Sequence, residues 1–138
     1  TENAYLLHKE LGEWMTDNVT VVRYNDKLLQ TDAKIQELLE RYQNININDT
    51  AKWSNQGAAF TRNLENMLQL ARVITLGAYN RNESRGAHYK PEFPDRNDED
   101  FLKTTMAKFA GSTSAPQFHY EDVDVSLIKP RKRDYSKS

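Results

Sequence analysis

Cysteine is absent from this chain of 138 residues. Disulfides, thiolate metal sites, iron–sulfur ligation and a cysteine nucleophile are therefore excluded from it. Glycine is nearly as limiting: Gly12, Gly57, Gly77, Gly86 and Gly111 stand so far apart that neither GxGxxG nor a phosphate-cradling P-loop can be written. No apolar run approaches the roughly 18 residues of a membrane-spanning helix, and the mean hydropathy is −0.85. Charge of one sign is also missing. The 19 basic and 20 acidic side chains leave a net charge of −1, so no global field draws the chain to nucleic acid or anionic lipid. The opening Thr1-Glu2-Asn3-Ala4 lacks the basic-then-apolar order of a signal peptide. It also lacks an initiator methionine, so the chain is expected to be a piece of something longer. The length fits one domain.

What is present up to residue 80 is helical periodicity. Phe60, Leu64, Met67, Ala71, Ile74 and Ala78 follow a 4-3-4-3-4 spacing and predict one apolar stripe along a long helix, with Asp49 or Thr50 as its N-cap. Leu28, Ile35, Leu38, Tyr42 and Ile45 form a second stripe, opening after Asn25-Asp26 and closing in residues 44–48. Ala4, Leu7, Leu11 and Trp14 form a third, shorter one. Three single-faced helices joined by short polar loops predict a mainly α fold, a three-helix up-down-up bundle of spectrin-repeat-like form. Val19–Val22 fits either a short strand or a helical continuation. A short helix is expected to restart at Asp98, carrying Phe101, Leu102, Met106 and Phe109. Residues 111–116 read as a linker, and Phe118–Tyr120 and Val123–Leu127 alternate like strands of a small sheet. The expected division is a helical bundle with its charged loop over 1–110 and an extended, strand-bearing tail over 111–138.

Residues 81–98 interrupt the helical pattern with two prolines, one glycine and eight charged side chains. A bare excursion of that length is usually functional or disordered. Tyr89, Pro91, Phe93 and Pro94 are poor material for a solvated linker. The segment therefore reads as an ordered docking or site loop, with Arg81, Arg85, His88, Lys90 and Arg96 interleaved with Glu83, Glu92, Asp95 and Asp98.

Glu83-Ser84-Arg85-Gly86-Ala87-His88, followed by Pro94-x-Arg96-Asn97-Asp98, resembles the ESRGAH…PxRDD signature of the succinate dehydrogenase/fumarate reductase flavoprotein family. Asn66-Met67-Leu68-x-Leu70-Ala71, Tyr79-Asn80-Arg81 and the closing Lys129–Tyr135 segment extend the resemblance over almost the whole chain. The resemblance implies a C-terminal helical domain packed on an FAD-binding domain that this chain lacks. It implies a parent subunit that oxidises succinate to fumarate and passes electrons through FAD to an iron–sulfur subunit and quinone. FAD is then a cofactor of the parent, and none is expected in the fragment, which is expected to be inactive by itself. The implied partners are the FAD-binding domain, the iron–sulfur subunit and a membrane anchor, without nucleic acid or direct membrane insertion. The implied location is peripheral, at the cytoplasmic face of a bacterial membrane or the matrix face of a mitochondrial one.

Carried over residue by residue, Arg85 becomes a flavin- or dicarboxylate-proximal charge, oriented by Glu83 and Ser84. Gly86 allows close backbone approach and His88 bonds across the domain boundary. Arg81, Lys90, Arg96 and Asp98 become interface residues, and no catalytic or metal-ligating residue is expected in the chain. Lys90 stands where many members have arginine, and Glu92 where aspartate is usual. Fumarate reductase and L-aspartate oxidase flavoproteins share the signature, although the Val-rich tail leans toward succinate dehydrogenase. Read without the resemblance, the same bundle is equally a free-standing interaction module that holds a partner through its charged loop.

The remaining features have plainer readings. His8 lies near a helix stripe without the HExxH spacing of a zinc helix, so it reads as a surface or packing residue. His119 reads as packing, and Trp14, Trp53, Phe60 and Met67 as core. Nothing splits the pKa values of Asp95/Asp98 or Asp122/Asp124 for acid–base work. Arg131-Lys132-Arg133 lacks interleaved aromatics, which makes it weak as a nucleic-acid patch and better suited to lie against the rest of a subunit.

Overall fold

The computed structural model describes residues 3–48 and 55–134. Three long helices come first: α1 (Ala4–Asn18), α2 (Asn25–Asn48) and α3 (Asn55–Asn80). They form the expected mainly helical bundle and are followed by a single turn, α4 (Asp98–Phe101), and a hairpin of β1 (Lys103–Lys108) and β2 (Gln117–Asp122).

Each helix buries one face. Ala4, Leu7 and Leu11 of α1 meet Ile35, Leu38, Leu39, Tyr42 and Ile45 of α2 and Leu64, Leu68 and Ala71 of α3 in one cluster, with Met15 and Phe60 packed at its edge. The stripe expected on α2 is the buried one. Asn3 caps α1, its Oδ1 accepting from the Leu6 amide at 2.8 Å. The N-cap expected at Asp49 or Thr50, and Trp53, lie outside the described residues. Val19–Val22 is neither strand nor helix: α1 stops at Asn18, and Val22 makes a single parallel bridge to Tyr89.

The stripe on α3 is rotated from the one expected. Leu64, Ala71 and Ala78 are buried, but so are Thr61, Leu68 and Thr75, whereas Met67 and Ile74 face outward. The two threonines hide their polarity by returning their hydroxyls to the helix: Thr61 Oγ1 donates to the Gly57 carbonyl at 2.8 Å and Thr75 Oγ1 to Ala71 at 2.7 Å. Counting threonine as polar shifts the apparent stripe onto Met67 and Ile74, so Met67 is not core.

The C-terminal third departs most from expectation. The helix opening at Asp98 lasts one turn under its Asn97 cap, and Met106 lies in β1 with Phe109 just after it. Thr104-Thr105 suits a strand better than a helix, and β1 finds an antiparallel partner in β2, from Lys103↔Asp122 to Lys108↔Gln117. Val123–Leu127 is not a strand, because β1 begins opposite Asp122 and offers nothing beyond it. Asp124 instead accepts the Ser126 amide at 2.9 Å, a local turn. His119 is exposed rather than packed, its Nε2 lying 3.7 Å from Glu121. The hairpin is held on α3 by Gln69 Nε2, which donates to the Ser112 carbonyl at 3.2 Å, and by Phe118, which lies 3.5 Å from where a Cβ on Gly77 would stand.

Candidate functional site

The segment between α3 and α4 is ordered by side chains in place of a backbone ladder. Its centre is Glu83, whose side chain is completely buried. The carboxylate accepts from Arg81 Nη1 at 2.7 Å, from Arg85 Nε at 2.9 Å and from the Asn97 amide at 2.9 Å. Burial by itself pushes this carboxyl up. The hydrogen bonds from Arg85, Asn97 and Arg81 outweigh it and hold Glu83 below the ordinary carboxylate range.

Arg81 leaves the end of α3 and reaches the hairpin. Its Nη1 donates to the Phe101 carbonyl at 2.8 Å, and its Nη2 to the Lys103 carbonyl at 2.7 Å and to Thr105 Oγ1 at 3.0 Å. The guanidinium lies 5.3 Å from the Phe101 ring and 5.9 Å from the Tyr120 ring. Arg85 adds Asp98, with Nη2 to Oδ1 at 2.7 Å, and Arg96 meets the other oxygen of Asp98 at 2.9 Å. The Arg85 and Arg96 hydrogen bonds hold Asp98 below the usual range. Arg85 keeps 26% of its side-chain surface exposed.

Ser84 closes the loop on itself. Its amide bonds to the Asp95 carbonyl at 3.2 Å, its hydroxyl donates to Phe93 at 2.7 Å, and it accepts the Lys90 amide at 3.0 Å. Between Arg85 and His88 the chain turns through a reciprocal pair of backbone bonds of 2.8 and 2.9 Å. Gly86 makes that turn with φ +58°, which an L side chain rarely adopts. A Cβ there would meet nothing within 4 Å in this chain, so within it the requirement for glycine is conformational.

His88 uses both ring nitrogens. Nε2 lies 2.9 Å from the Arg81 carbonyl and Nδ1 lies 2.9 Å from Arg23 Nη1. Since guanidinium only donates, Nδ1 accepts and the proton sits on Nε2: this histidine is neutral. Burial, with Arg23, Lys90 and Arg81 nearby, keeps its pKa below the ordinary value. Arg23 comes from the α1–α2 connector and its amide also bonds to the Tyr89 carbonyl at 3.0 Å. Glu92 crosses in the other direction, accepting the Asn25 amide at 3.0 Å and so capping the first turn of α2.

Lys90, expected at a domain interface, presents no surface for one: it is fully buried. Its Nζ donates to the Tyr79 carbonyl at 2.9 Å and to Asn82 Oδ1 at 3.0 Å, with the Tyr79 and Phe93 rings each 5.9 Å away. Burial lowers its pKa from 10.5 to about 8. An unfolded chain binds more protons at this site between pH 8 and 10.5, and at His88 just below pH 6.5, so stability rises with pH through both windows. Unfolding in urea is expected to show a gain of about 2 kcal/mol from pH 8 to pH 10, absent in Lys90→Met. A flat profile over that range would mean that Lys90 is solvated.

On the outer side of the loop, Arg85 and Arg96 join Arg131, Lys132 and Arg133 of the tail around a groove of about 600 Å³ in which, among the described residues, Asp95 is the one acid lining the wall. Arg96 Nη1 ties the tail to the loop by donating to the Arg131 carbonyl at 2.8 Å. The groove contributes mainly positive charge: against its four arginines and one lysine stands the Asp95 carboxylate, and His88 is neutral with both nitrogens engaged. It is suited to receive or orient an anion. No cluster fit to hold a metal ion occurs among the described residues, and none of their helices is long and apolar enough to cross a membrane.

The structure thus gathers Arg81, Glu83, Ser84, Arg85, Gly86, His88, Lys90, Arg96 and Asp98 into one network, with Arg81 and Lys90 engaged inside it. Sequence reasoning missed Arg23 and Asn82, and it gave no site role to Asn25, read as the opening of a helix, or to Asn97, read as part of the motif. Arg23 and Asn25 join the network only through chain approach across the fold.

Residues 8–135 match the family model described as fumarate reductase flavoprotein C-term. The chain is 78% identical over 137 residues to the succinate dehydrogenase flavoprotein subunit of Bacillus subtilis, covering 99% of this chain and 23% of that one. It is 34% identical to the fumarate reductase flavoprotein subunit of Proteus vulgaris, covering 98% and 23%. Among solved structures it superposes on E. coli quinol fumarate reductase FrdA with a TM-score of 0.85 at 31% identity, covering 95% of this chain and 23% of that one. The chain therefore spans less than a quarter of the length of these relatives.

Proposed function

The chain belongs to the fumarate reductase flavoprotein C-term family, and on that premise we propose that it is the C-terminal helical domain of a flavoprotein subunit that oxidises succinate to fumarate. Electrons pass, in this reading, through FAD to an iron–sulfur subunit and a quinone. The observation that carries it is the 78% identity with the Bacillus subtilis succinate dehydrogenase subunit, against 34% with a fumarate reductase subunit. Fumarate reduction is the second reading, favoured by the 0.85 TM-score with FrdA. A subunit of this kind sits peripherally at the cytoplasmic face of a bacterial membrane, held by the iron–sulfur subunit and a membrane anchor.

What these residues offer to FAD or a dicarboxylate is charge and not enclosure. The groove of about 600 Å³ is open and cationic, and the exposed turn at Gly86 leaves the backbone approachable. That fits a wall placed beside a cofactor held mainly by the longer part of the subunit. The flavin, when bound, supplies the hydride acceptor. In this chain Arg85 supplies fixed positive charge toward the flavin or substrate, Glu83 and Asp98 set its orientation, and Arg96 with the tail extends the cationic wall.

The test uses the full subunit. Arg85→Ala is expected to lower flavin content or succinate turnover by about ten- to a hundredfold, the equivalent of losing one charge-assisted contact of roughly 1.5–3 kcal/mol. Arg85 also braces Glu83 and Asp98, so the urea midpoint is measured on the same protein. A lowered midpoint with normal flavin and turnover would reduce Arg85 to a structural residue. Comparing succinate oxidation with fumarate reduction in the parental subunit decides between the two readings of the reaction.

A further inference from the structure

Between α2, α3 and the turn that joins β1 to β2 lies a cleft of about 520 Å³, within the size range of small-ligand sites. None of residues 81–98 lines it. The most buried charged group in its wall is Arg72, 6% exposed. Nε of that guanidinium donates to Asp32 Oδ1 at 2.9 Å, and Gln36 Nε2 donates to the other Asp32 oxygen at 2.8 Å. Asp32 thereby balances the charge of Arg72 and fixes its orientation. The N–H donors on the two Nη atoms meet no acceptor among the described residues. Donors placed this deeply are nearly always matched, by the protein or by something bound.

The rest of the wall is built as well. Ser112 and Thr113 come from the hairpin turn, where Gln69 Nε2 donates to the Ser112 carbonyl at 3.2 Å and the Ser114 amide to the Gly111 carbonyl at 3.3 Å. On the α2 side stand Glu37 and Glu40. Glu37 is taken by Lys34 at 3.1 Å and by Arg41 at 3.3 Å. Glu40 has no ion pair among the described residues. The cleft therefore pairs donors that lack an acceptor with a carboxylate that lacks a cation. Along α2, Glu40 lies one turn beyond Gln36 and two beyond Asp32, a span of roughly 6–12 Å.

We propose that this cleft binds a small amine that also carries a neutral carbonyl, with the ammonium on Glu40 and the carbonyl oxygen on the Nη donors of Arg72. Charge balance selects that class of ligand. Arg72 is already neutralised by Asp32, so a carboxylate or phosphate beside it would add an uncompensated negative charge near Asp32 and Glu40. A carbonyl oxygen accepts the same donors and adds no charge. One cation then neutralises Glu40. The site is separate from the cationic groove and does not depend on the reaction assigned to the subunit.

The experiment is a ligand-observed NMR titration of the full-length subunit, with succinate in excess so that a dicarboxylate site elsewhere on it is not what is read. The probe is 6-aminohexanamide, compared with hexylamine, hexanamide and 6-aminohexanoate. The probe is expected to bind about tenfold more tightly than hexylamine, which offers Arg72 no acceptor. It is expected to bind about three- to fivefold more tightly than hexanamide, which offers Glu40 no charge. Glu40→Gln, at an exposed position, is expected to abolish the advantage over hexanamide. Asp32→Leu with Arg72→Met removes both buried charges together, leaving neither uncompensated, and is expected to abolish the advantage over hexylamine. Equal affinity for the probe and hexylamine in the unmodified subunit overturns the proposal. Tighter binding of 6-aminohexanoate overturns it in favour of an anion, and binding that both variants leave unchanged places the ligand elsewhere and overturns it too. No binding at the solubility limit of the probe overturns it in favour of a water-filled cleft.

Discussion

Glu83→Gln is expected to cost the folded chain about 3–5 kcal/mol, the loss typical of removing one partner from a buried ionic group. Glu83 has no exposed side-chain surface and satisfies three donors at once, from Arg81, Arg85 and Asn97. Glutamine has nearly the same shape but lacks the negative charge, and its amide nitrogen meets donors where an acceptor is needed. Arg81 then retains its bonds to Phe101, Lys103 and Thr105 without a counter-charge. The damage should spread to the hairpin, which Arg81 holds to the end of α3. Denaturant unfolding measures the cost, and amide shifts in residues 101–105 report its spread. A loss below about 1 kcal/mol, the value of an ordinary hydrogen bond, would show that water replaces the carboxylate.

The second large effect lies inside the bundle. Arg72 Nε meets Asp32 Oδ1 at 2.9 Å, with side-chain exposures of 7% and 9%, and Gln36 Nε2 donates to the other Asp32 oxygen at 2.8 Å. Asp32→Ala leaves the guanidinium with little water and no counter-ion, at an expected cost of about 3–5 kcal/mol. Replacing both, Asp32→Leu with Arg72→Met, removes both desolvation costs and is expected to be near neutral or to stabilise by about 1–4 kcal/mol. The double-mutant cycle separates the pair from its surroundings. A double variant as unstable as Asp32→Ala would mean that the pair sets the packing of α2 on α3 as well as balancing charge.

The helices were legible in the sequence because helical periodicity is a local property. The stripe on α2 is the buried one, and Ala4, Leu7 and Leu11 on α1 are buried as expected. The face of α3 was misread because its inner side includes Thr61 and Thr75, whose hydroxyls vanish into the helix backbone. β1 was hidden because Phe101, Leu102, Met106 and Phe109 also fit a helical spacing, and the partner that makes Thr104-Thr105 a strand lies beyond a turn. At the site, the motif identified the segment but not its wiring. Arg23 reaches His88 across 65 positions and Glu92 reaches Asn25 across 67, separations at which no local pattern operates.

That wiring bears on the thermodynamics of association at this surface. Residues 81–98 contain no helix before Asp98 and only isolated bridges, so by sequence they look like a segment that must give up conformational freedom to bind. Yet Glu83, Ser84, His88, Lys90 and Glu92 already fasten them to α2, α3 and one another. Ordering a free residue costs roughly 1–2 kcal/mol of backbone entropy. Here that cost is met during folding, so a group arriving at the groove meets a preorganised surface and keeps more of its contact energy as affinity.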